Sequence, residues 1–165
     1  MTVSGETLQE IKIDYDAIVI GAGIAGLYQL YKLREIGLNV RVFEAGTGVG
    51  GTWYWNRYPG ARFDSESYSY AYSFSQELLD EWNWSEHFAS QPEILRYLQH
   101  MANKFDLIKD IEFSSDVKAA VYDEPSRTWE ITLENGSKHR SRYLIAGIGL
   151  LSQPTMPKIE GVESF

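Results

Sequence analysis

Three glycines near the start of the chain have the spacing of a phosphate-binding loop. They follow the apolar run Tyr15–Ile20 in the order Gly21-x-Gly23-x-x-Gly26. Glycine at these positions permits a tight turn, close approach of the backbone to a pyrophosphate, and close packing of the next helix on the strand. The phosphates would lie at the N-terminus of that helix. The pattern predicts a dinucleotide site, although glycine loops of this spacing also arise without one.

An acidic residue stands where the ribose of such a dinucleotide needs a hydrogen-bond acceptor. Glu44 ends a second apolar run, Val40–Phe43, and comes 18 residues after Gly26. A carboxylate here accepts hydrogen bonds from ribose hydroxyls and repels a 2′-phosphate, which favours FAD or NAD over NADP at this first site. The alternative is a solvated acid at the end of a strand.

The elements that would position these residues form a βαβ unit. Between the two apolar runs, Leu27, Leu30 and Leu33 keep helical spacing, and Gly37 can close the helix in the left-handed conformation. We therefore expect an α/β fold, a Rossmann-like domain with a parallel sheet.

Residues 90–147 continue this fold with a helix and short strands. Ser90 and Glu93 have the spacing of a capping box, and Pro92 falls in the first turn of the helix. A small antiparallel β-meander is then expected from strands over 111–113, 117–122, 129–133 and 138–141. A last apolar run, 143–147, is expected beside the first strand in the parallel sheet.

The composition excludes several classes of protein. The 165 residues contain no cysteine, which excludes disulfide scaffolds, zinc–thiolate sites and a flavin-linked dithiol mechanism. The net charge of −8 argues against nucleic-acid and anionic-membrane partners. The three histidines lack metal-ligand spacing, so no metal site is assigned. We expect a cytoplasmic domain that acts on small molecules, with a flexible leader over residues 1–14.

Residues 46–74 are rich in glycine and aromatic side chains and poor in periodicity. The overlapping stretch from Trp53 to Phe88 holds about half of the aromatic residues of the chain, including four of its five tryptophans. This density predicts an inserted loop and helical region that walls in something flat or apolar. The alternative for Trp82 and Trp84 is that they pack a loop onto the sheet.

Within this region, the stretch GGTWYWNRYPGARFDSES at 50–67 closely resembles the flavin-binding segment of Baeyer–Villiger monooxygenases, the class B flavoprotein monooxygenases. The resemblance continues through 68–74, 81–85 and 90–97, and spans roughly residues 15–165. Members of the family use FAD, NADPH and O₂ to convert ketones to esters or lactones through a flavin peroxide. The resemblance implies that 15–165 form the FAD-binding domain of such an enzyme, with the NADPH-binding domain and the remainder of the enzyme absent.

Carried over residue by residue, the resemblance implies two sets of cofactor contacts. Those at the pyrophosphate and ribose of FAD are Gly21, Gly23, Ala25, Gly26 and Glu44. Those at the flavin and the rest of FAD are Gly51, Thr52, Trp53, Trp55, Arg62, Phe63, Asp64, Tyr70 and the backbone of Val117.

Asp64 is the predicted catalytic residue. In the family the matching aspartate pairs with an active-site arginine, in a segment that lies beside both flavin and nicotinamide. A cation held in this way would stabilise the charge that develops during oxygen insertion. From the residues alone, the simpler interpretation is a turn residue that bonds its own backbone near Pro59 and Gly60.

Two positions depart from the family pattern. Phe63 stands where a cysteine is frequent, and Gly147-Ile148-Gly149 lacks the hydroxyl residue common in related flavoproteins.

Three functions stay open. The family fingerprint Phe-x-Gly-x-x-x-His-x-x-x-Trp-Pro and a second glycine fingerprint for NADPH do not occur in the 165 residues. The chain is thus expected to be part of a Baeyer–Villiger oxygenase, a non-catalytic flavin-binding fragment or half of a split protein, or part of a related monooxygenase that oxidises nitrogen or sulfur.

Overall fold

The computed structural model describes residues 12–150 and 152–164. Their strands are β1 (Tyr15–Ile20), β2 (Val40–Phe43), β3 (Ile111–Glu112), β4 (Val117–Asp123), β5 (Thr128–Leu133) and β6 (Lys138–Ala146). Their α-helices are α1 (Ile24–Glu35), α2 (Thr52–Trp55), α3 (Ser67–Tyr70), α4 (Gln76–Glu81) and α5 (Gln91–Lys104), with short 3₁₀ turns at Ile108–Asp110 and Val162–Ser164. Most of the predicted leader lies outside the described residues, and β1 begins at Tyr15 as predicted.

The strands form one mixed sheet in the order β3-β2-β1-β6-β5-β4. β1 pairs in parallel with β2 and with the second half of β6, and β2 pairs in parallel with β3. β4, β5 and the first half of β6 pair in antiparallel fashion. The predicted βαβ unit of β1, α1 and β2 is therefore confirmed.

The predicted meander forms from β4, β5 and β6, and the placement of 111–113 in it was wrong, because β3 pairs in parallel with β2 at the other edge of the sheet. The last strand of the meander and the last parallel strand are one continuous strand. The sequence pattern separates 138–141 from 143–147, whereas β6 runs without a break from Lys138 to Ala146. The strand changes its pairing partner at Ser141, which pairs with Trp129 of β5 and with Tyr15 of β1. The predicted separation was wrong because a polar residue such as Arg142 interrupts the apolar pattern without interrupting the hydrogen-bond ladder.

Each face of the sheet carries an apolar cluster. Val19 lies in the larger cluster with Leu27 of α1 and Leu98 of α5. Ile18 points to the opposite face, where it packs with Ile131 of β5. The meander thus covers the face of the parallel strands that the helices leave uncovered, which explains the continuous apolar run in β1. No helix in the described part of the chain has the length and apolarity of a membrane span.

The aromatic-rich region packs on the helical side of the molecule. Trp82 and Trp84 lie against Tyr97 of α5, with ring centroids 5.3 and 5.0 Å apart. Both tryptophans therefore pack their loop onto the molecule, as the alternative interpretation held, but their partner is a helix and not the sheet.

Candidate functional site

The glycine loop between β1 and α1 lies against a second glycine turn. A Cβ on Gly51 would lie 2.7 Å from the Cα of Gly23. The backbone NH of Gly50 donates to the carbonyl oxygen of Ala22 at 3.0 Å. Gly51 also has a φ of 53°, which a side chain would strain. The two turns are therefore in direct backbone contact, and this contact by itself requires glycine at position 51.

Packing inside the chain also requires two of the fingerprint glycines. A Cβ on Gly26 would lie 1.8 Å from the carbonyl oxygen of Gly21, so only glycine lets α1 start this close to the loop. Gly21 has a φ of 93°, and a Cβ there would lie 2.7 Å from the carbonyl oxygen of Gly147. Gly23 is the N-cap of α1 and Ala25 is exposed in its first turn. The first-turn NH groups of α1 have no acceptor within the helix and suit an anion.

Glu44 reaches from the end of β2 back to the glycine loop. It is 4% exposed. Its Oε2 accepts a hydrogen bond from the NH of Ala22 at 2.6 Å, and its Oε1 accepts one from the NH of Gly46 at 2.7 Å. The alternative of a solvated acid is therefore wrong. Each carboxylate oxygen keeps a second lone pair, so a ribose hydroxyl can still bind there.

Tyr54 of α2 covers the loop that leads from Glu44 to the second glycine turn. Its hydroxyl oxygen accepts a hydrogen bond from the NH of Thr47 at 3.1 Å and lies 2.7 Å from Oγ1 of Thr47. These hydrogen bonds lower the pKa of Tyr54. A Cβ on Gly46 would lie 2.7 Å from the Tyr54 ring. The sequence reasoning assigned Tyr54 no role, although the alternating glycines at 46, 48 and 50 leave room for a ring.

Phe63 is the centre of an aromatic frame formed by Trp53, Phe63, Tyr70 and Trp84. Its ring stacks on Tyr70 with centroids 4.6 Å apart. The rings of Trp53 and Trp84 meet it edge-on at 5.8 and 5.9 Å. Nε1 of Trp53 donates to the hydroxyl of Tyr70 at 2.9 Å. Because Trp53 and Phe63 are buried, the frame holds the predicted flavin-lining segments together from within.

Other predicted site residues have exposed side chains. Thr52, Trp55 and Asp64 are exposed. The carboxylate of Asp64 makes no hydrogen bond to the described residues, so the turn bond near Pro59 and Gly60 is not found there. Arg62 is exposed as well, and its guanidinium donates to Glu86 and to the carbonyl oxygen of Phe88, both at 3.0 Å.

A backbone hydrogen bond just before Val117 connects the start of β4 to Glu44. The NH of Ser115 donates to the carbonyl oxygen of Glu44 at 2.9 Å. Val117 follows two residues later, pairs with Leu133, and precedes an irregularity in the β4–β5 ladder. The structure therefore connects the start of β4 to the predicted ribose acceptor, and the backbone contact of Val117 with FAD stays a prediction.

These residues form a bipartite site suited to a dinucleotide. The N-terminus of α1, the two glycine turns and Glu44 make one part, with unpaired NH groups for phosphates and a fixed carboxylate for a ribose. The aromatic frame makes the other part and holds the turn that carries Asp64. A helix N-terminus beside a buried acceptor favours a ligand with both a pyrophosphate and a ribose.

Comparisons with curated proteins extend over nearly the whole chain. Residues 19–82 match a family model for an NAD(P)-binding Rossmann-like domain. The chain is 50% identical over 91% of its length to 2-oxo-Delta(3)-4,5,5-trimethylcyclopentenylacetyl-CoA monooxygenase of Pseudomonas putida, and covers 28% of that protein. It is 47% identical over 93% of its length to phenazine N-monooxygenase PhzNO1 of Lysobacter antibioticus, and covers 29% of it. It is 44% identical over 100% of its length to a Baeyer-Villiger monooxygenase of Pseudooceanicola batsensis, and covers 30% of it.

Solved structures give the same result for the fold. A structure of oxidised steroid monooxygenase bound to NADP superposes with a TM-score of 0.85 and 53% identity, over 90% of this chain and 29% of that one. A crystal structure of OTEMO in complex with FAD and NADP gives a TM-score of 0.87 and 48% identity, over 94% of this chain and 29% of that one. The Rossmann-like fold predicted from the sequence is confirmed, and the chain spans just under a third of the length of the proteins it matches.

Proposed function

We propose that this chain, a homologue of the Baeyer–Villiger monooxygenases over its full length, is the FAD-binding portion of such an enzyme. The observation that supports the proposal most is the buried carboxylate of Glu44, held 2.6 Å from the NH of Ala22 in the glycine loop. This bond holds a carboxylate that can accept ribose hydrogen bonds beside a helix N-terminus that suits a pyrophosphate, and so supports the proposal.

Each part of the site has a role in this proposal. The first-turn NH groups of α1 bind the pyrophosphate of FAD, and Glu44 binds its ribose. Thr52 and Trp55 offer exposed side chains beside the flavin, and the buried rings of Trp53 and Phe63 keep their segment in place. When bound, FAD supplies the redox chemistry with NADPH and O₂, and the protein residues supply binding and orientation.

Asp64 is proposed to act on an arginine of the complete enzyme. Its carboxylate is exposed and makes no hydrogen bond to the described residues, so it is open to a cation. An arginine held by Asp64 would stabilise negative charge on the reacting oxygen atoms, which is the electrostatic contribution with the largest effect in many enzymes.

The proposal extends to the rest of the enzyme. The relatives are more than three times as long as this chain, since it covers 28–30% of them. We assign residues 15–165 to the FAD-binding domain and place NADPH binding in a longer enzyme, whose substrates are a ketone and O₂. A cytoplasmic location is part of the proposal and is supported by the cysteine-free composition.

N-oxidation is the second candidate function. The phenazine N-monooxygenase is 47% identical to this chain, which lies between the 50% and 44% of the other two relatives. Similarity within this portion therefore does not separate a ketone substrate from a nitrogen substrate.

The test uses both the 165-residue chain and the complete product of its gene. FAD is titrated into each, and NADPH is then added anaerobically to follow bleaching of the flavin. Cyclic ketones, amines and sulfides are assayed next for ester, N-oxide and sulfoxide. We expect FAD binding, bleaching by NADPH in the complete product, and ester or lactone formation.

Each other result has a definite meaning. A complete product that binds no FAD overturns the proposal. N-oxide without ester establishes the second candidate, and sulfoxide without ester establishes a related monooxygenase that oxidises sulfur. Bound FAD that NADPH never bleaches establishes a non-catalytic flavin-binding protein.

A further inference from the structure

We propose that Gln91 and Glu93, in the first turn of α5, are positioning residues for the flavin site. The inference rests on the proposed function and assigns these two side chains a role beyond starting a helix. The predicted capping box does not form, because the Ser90 side chain makes no capping hydrogen bond. The Glu93 side chain binds a different loop, so both polar side chains of this turn reach away from their own helix.

Gln91 holds the helix that follows the second glycine turn. It is 8% exposed, and its Nε2 donates to the carbonyl oxygen of Trp53. Because α2 is a single turn that ends at Trp55, it supplies no backbone donor for that carbonyl. The Gln91 amide satisfies it from outside. The backbone NH of Gln91 also donates to the carbonyl oxygen of Ala61 at 2.8 Å.

Glu93 holds the loop that carries Trp84. It is 5% exposed, and its carboxylate accepts hydrogen bonds from the NH of Ser85 at 2.8 Å and from Oγ of Ser85 at 2.6 Å. Ser85 directly follows Trp84 in the chain. Two charge-assisted bonds to one residue fix the neighbouring indole ring on the surface of α5.

The two attachments converge on Phe63. Trp53, held by Gln91, meets the Phe63 ring from one side at an interplanar angle of 82°, and Trp84, held through Glu93, meets it at 74°. Ala61, also held by Gln91, lies two residues before Phe63. The residue after Phe63 is Asp64, so this turn of α5 fixes both the ring and the segment that carries the predicted catalytic carboxylate.

The rest of α5 provides a rigid base for these bonds. Ile94, Leu98 and Met101 are fully buried in the larger core cluster. A change at Gln91 therefore leaves the helix in place and releases α2, whose first residue follows Gly51. Gly51 is in contact with Gly23 of the phosphate-binding loop. A displacement of α2 would therefore also displace the loop that binds FAD.

The experiment compares variants of the complete gene product loaded with FAD. Gln91→Met keeps the volume and removes the donor. Glu93→Gln keeps one acceptor oxygen for Ser85, and Glu93→Met keeps none. The matched controls are Gln99→Met, at an exposed position of the same helix, and Ile131→Val, which removes one methyl group from the core cluster on the opposite face. The readouts are the Kd for FAD, the thermal midpoint and the fraction of NADPH spent on H₂O₂ without product.

We expect Gln91→Met to raise the Kd for FAD about tenfold, as one lost buried hydrogen bond can do, and to raise the H₂O₂ fraction. Glu93→Gln should raise the H₂O₂ fraction less than Glu93→Met. Both controls should keep the wild-type H₂O₂ fraction, even where Ile131→Val lowers the thermal midpoint as much as the test variants do. If Gln91→Met does not fold, the comparison of Glu93→Gln with Glu93→Met tests the inference.

Wild-type values for Kd and H₂O₂ fraction in the test variants would overturn the inference and leave the proposed function standing. An equal rise in Ile131→Val would also overturn it, because stability alone would then explain the effect. A wild-type protein that binds no FAD overturns the proposed function and this inference together.

Discussion

The carboxylate of Glu44 accepts a hydrogen bond from the backbone NH of Ala22, 2.6 Å away and 22 residues earlier in the chain. The bond joins the end of β2 to the glycine loop between β1 and α1. The other carboxylate oxygen binds the NH of Gly46, so one buried acid fixes two loops of the candidate site. The carboxylate that we propose as the ribose acceptor is therefore oriented by the protein itself.

Glu44→Gln tests this arrangement. The amide offers one oxygen for two NH groups and turns its own NH₂ toward the other donor, so one NH loses its acceptor. We expect the free energy of unfolding to fall by about 2 kcal/mol and the Kd for FAD to rise at least tenfold. Urea unfolding and FAD titration measure both, with the exposed Glu35→Gln as control. Unchanged values for both would show that the buried bonds contribute nothing.

Gly26→Ala tests the close packing of α1 on its loop. The added methyl group would lie 1.8 Å from the carbonyl oxygen of Gly21, so the loop or the helix must move. We expect loss of detectable FAD binding and a fall in stability of about 1–3 kcal/mol. Gly48→Ala is the matched control, since its methyl group would sit 3.4 Å from the Tyr54 ring, an ordinary contact. Equal FAD affinity in the two variants would contradict the packing argument.

Asp64→Ala separates a catalytic role from a structural one. Because Asp64 is exposed and makes no hydrogen bond to the described residues, its removal should leave the thermal midpoint and the Kd for FAD near the wild-type values. Oxygenation by the complete gene product should fall by about 10²–10³. Steady-state product formation is the measurement, and Asp80→Asn, at an exposed position of α4, is the control. Wild-type ester formation by Asp64→Ala would remove Asp64 from the mechanism.

Stability should fall at alkaline pH because of Tyr97. Burial raises its pKa to about 12, while its hydroxyl oxygen accepts a hydrogen bond from the NH of Tyr72 at 2.8 Å. A tyrosine with a raised pKa in the folded state adds stability below its unfolded value of about 10, and this is lost as the pH rises toward 12. The loss from Tyr97 should be about 2 kcal/mol by pH 12.

Urea unfolding between pH 9 and about pH 12 measures this loss, with Tyr97→Phe as the comparison. The variant cannot ionise at this position, so its stability should depend less on pH in that range. The same slope in both proteins would show that Tyr97 does not ionise on unfolding. Burial also raises the pKa of Tyr72, so some alkaline loss should remain in the variant.

The sequence alone determined the first half of the site. The apolar runs around Gly21 and Gly26 predict β1, α1 and β2, because strand, turn and helix patterns are local and complete within about 30 residues. The position of Glu44 at the end of β2 follows from the same pattern. The dense aromatic segment predicts a site for a flat ligand, and in the structure its rings pack around Phe63.

The tertiary structure decided how the remaining side chains are used. Glu93 has the spacing of a capping-box residue, but its side chain binds Ser85. The side chain of Gln91 binds the carbonyl oxygen of Trp53, 38 residues away. The Phe63 ring turns inward against Trp84, and β6 continues through Arg142 from one half of the sheet to the other. These outcomes depend on which distant segments meet, and a hydrogen bond or ring contact between them leaves no periodicity in the sequence. Local patterns therefore determined the elements, and packing determined what Gln91, Glu93 and Phe63 contact.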